Sequence, residues 1–260
     1  MLSMPRIIYH TNIPELKDFM ENLPDIFNTE GKTIKSGRNK IKIIEYGGVP
    51  LCVKSFIKVS AFNRIMYSWF RATKAQRSFQ IAEKLIKKGI PTPFPMGYAK
   101  VVGKGGMVRT SFYVSAFLEH KWTLGDILPE EHPEGKQIIS EYARFMAKKV
   151  HPSGIWHKDM SNGNVLINRY RGGYSFALID LNRIKFKKKN TPEDGLHNLR
   201  RHTAGNLQTT ILGEQYALAC NRDPKKFVYR LFRSQVTFAS RRKRSKKILH
   251  SLNPVWQKKK

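Results

Sequence analysis

The sequence predicts an α+β fold of two lobes: an antiparallel sheet with one helix over residues 1–118, then a mainly helical lobe over 119–260. Three observations carry this. Short β-prone segments separated by tight-turn signals open the chain. Apolar residues then recur at helical spacing from about Lys74 and again from Glu134. After a last apolar strand ending near Leu181, the pattern is helical and strongly basic.

Taken in order, "KTIK" and "KIKIIEY" flank the turn "SGRN", and "YGGVP" turns the chain into "LCVKSF". Three short strands joined this way form a meander. A basic stretch with Tyr67, Trp69 and Phe70 follows. From Lys74 to Lys88 a helix is predicted, with Phe79, Ala82, Leu85 and Ile86 on its apolar side and Gly89 as its C-cap. "GIPTPFP" must be extended, because residues before proline avoid the α region. "GMVRTSFYVSAF" supplies a turn and a strand, completing β-β-β-α-β-β. The lobe boundary falls between Glu119 and Asp126. Residues 134–150 form an amphipathic helix carrying Ile138, Ile139, Tyr142, Phe145, Met146 and Val150. The polar run "WHKDMSNGN" breaks into strand "NVLIN", turn "RGG" and strand "YSFALIDL".

Charge limits the partners. Lys and Arg number 48 against 19 Asp and Glu, a formal net charge of +29. Such a field attracts polyanions: nucleic acid, an anionic membrane surface or phosphorylated substrates. Residues 241–260 carry nine Lys or Arg and no acid. The two cysteines, Cys52 and Cys220, sit in no CxxC or Cys/His cluster, which argues against zinc and suits a reducing cytosol. The N-terminus lacks the pattern of a secretory signal, and no apolar run approaches the ~20 residues of a spanning helix.

The polar run carries the chemistry. Asp159 and Asn164 lie five apart in a loop leading into an apolar strand, and Asp180 ends the next strand, "FALID". If the two strands pair, two carboxylates and an amide oxygen can converge, a donor set suited to Mg²⁺. Lys54 lies inside strand "LCVKSF". Phosphoryl transfer needs a lysine for nucleotide phosphates, Asp and Asn for metal, and a carboxylate for the acceptor hydroxyl. Singly, Lys54 reads as an edge lysine and Asp159 and Asn164 as turn-formers; jointly they read as a kinase.

"HKDMSNGN" matches the H-x-D-x-x-x-x-N catalytic loop of kinase-like folds, and "LIDLNR" stands where their metal-binding Asp lies. With "VKSF", "RATKAQRSF" and "GIPTPFP", the chain resembles the bacterial lipopolysaccharide kinase (Kdo/WaaP) family over roughly residues 30–215. The resemblance implies a bilobal protein kinase-like fold using ATP and Mg²⁺. It implies Lys54 on the α/β phosphates, Asp159 as catalytic base, and Asn164 and Asp180 as metal ligands. His157 would support the loop by bonding backbone near Asp180. Phe117, Leu118 and Glu119 would form the hinge that meets adenine.

Four departures stand out. The helix position that usually carries a lysine-pairing Glu is Ser78, with Glu83 about 140° round the helix from it. "SGRNK" offers a single glycine over the phosphates. Ser161 stands where protein kinases place a lysine. Only 80 residues follow Asp180, which favours a small or sugar-bearing acceptor over a peptide.

The implied activity is phosphorylation of a sugar hydroxyl, on Kdo or heptose, of the lipopolysaccharide inner core. The acceptor is then an anionic glycolipid, and the chain is cytoplasmic, held peripherally on the inner membrane by "KFKKKN" and the basic tail. Two alternatives are an atypical Ser/Thr kinase or ATPase of an RNA-containing assembly, and an inactive kinase-like module that binds nucleic acid or another polyanion.

Overall fold

The computed structural model describes residues 6–37, 39–56, 71–188, 190–202 and 204–251, with backbone only from 246. The aromatic stretch at Tyr67, Trp69 and Phe70, Arg38 of the "SGRNK" turn and the tail beyond 251 lie outside the described residues. The chain divides into two compact units, one of residues 1–119 with 177–182, the other of 120–176 with 183–260.

The first unit is built on a six-stranded sheet in the order β1-β5-β6-β4-β3-β2. Its strands are β1 (Arg6–Thr11), β2 (Lys32–Lys35), β3 (Lys40–Tyr46), β4 (Val49–Ser55), β5 (Pro95–Val102) and β6 (Val108–Ala116). Every pairing between them is antiparallel. The predicted meander is thus β2-β3-β4. The period-2 alternation of a strand sends Leu51 and Val53 of β4 into a core with Ile44, Ala99, Phe112 and Val114.

Two short helices, α1 (Lys17–Glu21) and α2 (Leu23–Thr29), close that core with Phe19, Met20, Leu23 and Phe27. Together with β1 they enlarge the expected "sheet plus one helix". Their apolar spacing is helical, but Pro24 interrupts the run and leaves two pieces too short to stand out. The expected helix is α3 (Lys74–Lys87), started by Thr73, whose hydroxyl accepts from the Gln76 amide at 3.1 Å. Phe79 of α3 meets Tyr98 of β5 edge-on, so α3 covers the opposite sheet face. Lys54 pairs in register with Tyr113 and points to that face.

The second unit has small sheets and four longer helical segments. β7 (Trp122–Thr123), β9 (Val165–Tyr170) and β10 (Gly173–Leu178) form one sheet; β8 (Ile155–His157) and β11 (Ile184–Phe186) form another. A single-turn helix, α4 (Leu124–Ile127), begins with a Thr123/Asp126 capping box. Helix α5 (Gly135–Phe145) ends before the predicted Val150, because residues 146–150 widen into a π turn. There the His151 amide reaches back to the Met146 carbonyl at 3.0 Å. Helices α6 (Pro192–Leu199), α7 (Asn206–Ala219) and α8 (Pro224–Ser251) complete the unit, with α7 packed against both α5 and α8.

Candidate active site

Two groups of the expected residues are held by local geometry, one in each unit. In the first unit, Lys54 Nζ donates to Asp180 Oδ1 at 2.7 Å. Asn182 Nδ2 donates to the same oxygen at 2.8 Å. The lysine side chain is 13% exposed and the carboxylate 30%, so this pair is drier than the surface pairs worth ~0.2–1 kcal/mol. The Lys54 ammonium also lies 5.4 Å from the centre of the Phe56 ring.

The segment bearing Asp180 is fastened by the proline-rich stretch. The Leu178 amide donates to the Pro91 carbonyl at 3.0 Å, and Thr92 Oγ1 donates to the Leu178 carbonyl at 2.7 Å. The extended backbone that Pro91 and Pro93 impose leaves those groups unclaimed by a helix. Asp180 itself has φ of +55°. Left-handed backbone at a residue with Cβ is disfavoured by roughly 1–2 kcal/mol, least so for Asp and Asn. Such an outlier marks a carboxylate held by its surroundings in a set direction.

The Ser78 position resolves the missing helix carboxylate. Ser78 is buried and its hydroxyl donates to the Lys74 carbonyl at 2.9 Å, one turn back in α3. Lys54 takes its carboxylate from Asp180 instead. Of the expected hinge residues, Phe117 commits its amide to the Pro50 carbonyl at 2.9 Å. Leu118 is half-buried and Glu119 exposed.

In the second unit, the loop between β8 and β9 is folded around the Asp159 main chain. The Asp159 carbonyl accepts from the Ser161 amide at 2.8 Å and from Asn164 Nδ2 at 2.8 Å. With its nitrogen engaged, Asn164 keeps its amide oxygen as the atom that can meet a cation. His157 is fully buried, and its Nδ1 accepts from the Asp159 amide at 3.1 Å, which places the ring proton on Nε2.

The Asp159 carboxylate, 37% exposed, faces two guanidiniums: Arg183 Nη1 at 3.2 Å and Arg201 Nη1 at 3.6 Å. A positive charge beside Asp159 therefore comes from two arginines, although Ser161 stands at the lysine position. Sequence reasoning missed both. Arg183 closes the quoted motif "LIDLNR" and could have been weighed; Arg201 lies 42 residues past Asp159 with no local signal.

Buried histidines brace the loop from behind. His202 Nε2 meets the Tyr142 hydroxyl at 2.9 Å, and its Nδ1 meets Asn162 Oδ1 at 3.1 Å. His151 Nδ1 meets the Tyr216 hydroxyl at 2.7 Å, and its Nε2 meets Asn198 Oδ1 at 3.3 Å. Asn198 Nδ2 in turn donates to the His157 carbonyl at 3.1 Å. Both rings stay neutral: burial pushes His151 down to about 4 and His202 down to about 3.

A sheet-based unit presenting a Lys–Asp pair, followed by an H-x-D-x-x-x-x-N loop in a mainly helical unit, defines a protein kinase-like fold. The first structural likeness agrees. WaaP in complex with acyl carrier protein matches with a TM-score of 0.56 at 15% identity, covering 94% of this chain and 99% of that one. A Rio2 kinase–ADP/Mg²⁺–phosphoaspartate complex from Chaetomium thermophilum matches with a TM-score of 0.47 at 12% identity, covering 70% of this chain and 57% of that one. No curated protein matches the sequence. The sequence profile of the lipopolysaccharide kinase (Kdo/WaaP) family matches residues 48–216, and the chain belongs to that family. Among the described residues no helix is long and apolar enough to cross a membrane.

Proposed function

We propose that the chain transfers the γ-phosphate of ATP to a sugar hydroxyl, on Kdo or heptose, of the lipopolysaccharide inner core. The observation that carries this is the Lys54–Asp180 pair at 2.7 Å, an amine and a carboxylate together on the unit that would cover a nucleotide. Family membership supplies the acceptor class.

In this reading Lys54 moves from Asp180 to the α/β phosphates when nucleotide enters. Asp180 and Asn164 fit Mg²⁺ by donor chemistry, a carboxylate oxygen and an amide oxygen. Bound there, the ion would neutralise charge on the β and γ phosphates. Asp159 accepts the proton of the attacking hydroxyl, and Arg183 and Arg201 hold its carboxylate in place. His157 holds the loop through the Asp159 amide. Backbone at Phe117, Leu118 and Glu119 receives the adenine, with the Phe117 carbonyl rather than its committed amide as contact.

The basic surface would hold the enzyme on the cytoplasmic face of the inner membrane, where each Lys or Arg near an anionic surface gains roughly 1 kcal/mol. WaaP was solved with acyl carrier protein, and the same partner is a direct pull-down test for this basic chain. The deciding experiment incubates the purified chain with ATP, Mg²⁺ and lipopolysaccharide isolated from cells that lack the gene. Mass spectrometry should show one added phosphate on the inner core. Autophosphorylation on Ser or Thr without any gain on lipopolysaccharide would favour the protein-kinase alternative, and the absence of nucleotide binding would favour the inactive module.

A further inference from the structure

Beside the Asp159 loop, and wholly within the second unit, lies a cavity of about 530 Å³ between the loop after α6 and the middle of α8. Four cations line it: Arg200, Arg201, Arg242 and Lys243. Among the described residues no carboxylate does. Its remaining walls are neutral side chains, including Phe238 and Gln235. The Arg200 and Arg201 guanidiniums lie 5.3 and 5.0 Å from the centre of the Phe238 ring, so both sit against the same wall.

Four like charges in one concavity repel unless an anion enters. Burial, then the charges of Arg201 and Arg241, depress the Arg200 guanidinium below its ordinary range. Burial also depresses Arg201; Arg183 and Arg242 add to this, and Asp159 opposes it. Among the described residues, the buried Arg200 Nε has no hydrogen-bond partner, which leaves a desolvated donor uncompensated. The polar floor is already satisfied internally. His202 bonds to Tyr142 and Asn162, and Gln235 Nε2 donates to the His202 carbonyl at 3.2 Å. The groups left to address a ligand are the cations.

The cavity is tied to the chemistry. Arg201 both lines it and reaches Asp159 Oδ1 at 3.6 Å. One guanidinium thus links the cavity to the proposed base. More than half of the described lining, from Gln235 to Lys243, falls beyond residue 216, where the family match ends.

We propose that this cavity seats an oxyanion, a phosphate ester or a carboxylate, carried by the acceptor next to the hydroxyl that receives phosphate. The proposal rests on the kinase reading and specifies its acceptor: the sugar must already be negatively charged. An upstream reaction that installs an acid or a phosphate must therefore precede this one.

The test measures binding of the full chain, without nucleotide, to core oligosaccharide released from lipopolysaccharide. The oligosaccharide is used native, phosphatase-treated and carboxyl-reduced. Arg242 and Lys243 are exposed on α8, so R242Q/K243Q should fold, as a melt will confirm. It should bind native oligosaccharide at least tenfold more weakly than wild type. One of the two stripped forms should lose the same factor on wild type, and which one it is identifies the oxyanion. Control K225Q/K226Q, the same charge change at the far end of α8, should bind as wild type. Equal weakening by the control would show general attraction for polyanions and overturn the site, as would unchanged binding by R242Q/K243Q or to both stripped forms. On wild type alone, native oligosaccharide should protect Arg200 and Arg201 from phenylglyoxal; unprotected modification would also overturn it. Oligosaccharide seated in the cavity with no transfer from ATP would refute the kinase reading and leave the site standing. Transfer with an indifferent cavity would do the reverse.

Discussion

Lowering the pH from 7 to 5 should destabilise the fold that braces the Asp159 loop, through His151 and His202. Both imidazoles are fully buried and neutral, with folded pKa values of about 4 and about 3. In the unfolded chain each titrates near 6.5, the usual value for histidine. A depressed histidine pKa means that the unfolded state binds more protons between the two values. The stabilisation is therefore complete above about pH 6.5 and declines as pH falls toward the folded values. At pH 5 both rings are still neutral in the folded state while the unfolded chain is mostly protonated. Each histidine then forfeits about 2 kcal/mol, and the pair about 4, a large share of a typical 5–15 kcal/mol. His197, lowered first by burial, adds in the same direction. The depressed carboxylates do not enter this window. Asp194, held low first by its hydrogen bond from Lys187, loses its contribution only as pH falls below its ordinary 3.8. Urea unfolding at pH 7, 6 and 5 measures the effect. His202→Gln should be less stable than wild type at pH 7 and should lose about 2 kcal/mol less between pH 7 and 5. An identical pH slope in the two proteins would refute the argument.

Three further outcomes follow from the same geometry. Asp159→Asn should lower phosphate transfer by 10²–10⁴-fold, the range of general base catalysis, while ATP-dependent thermal stabilisation persists; near-normal turnover would remove Asp159 from its role. Asp180→Ala should abolish the Mg²⁺-dependent part of the ATP thermal shift, and a shift equal to wild type would show that the metal is held elsewhere. Gly195→Ala would place a methyl group 1.9 Å from the Tyr216 hydroxyl and 2.9 Å from His151 Nδ1. It should destabilise the chain by about 2–4 kcal/mol through overpacking and loss of the His151–Tyr216 bond, read as a lower melting temperature.

Lys54, Asp159, Asn164 and Asp180 were legible because each lies in a short stretch whose spacing is fixed by local backbone geometry: a strand, a tight loop, a strand end. The meander and α3 were legible for the same reason, since periods of 2 and 3.6 need only neighbouring residues. Helix α5 was drawn too long, because a π turn keeps helical apolar spacing while changing its hydrogen bonds.

The sequence by itself determined the strand order of the meander, the kinase-like loop and the excess of positive charge, all set by residue type and near spacing. Only the tertiary structure decided that Lys54 is answered by Asp180 and not by a helix carboxylate. It alone set Arg201 against Asp159 and His202 behind Asn162, and gathered four cations into one cavity. Those contacts join residues 40 or more positions apart, and the cavity brings Arg242 and Lys243 to Arg200 and Arg201 across α7 in the same way. Packing of whole elements brings such residues together, and no local period in the chain records which side chains will meet.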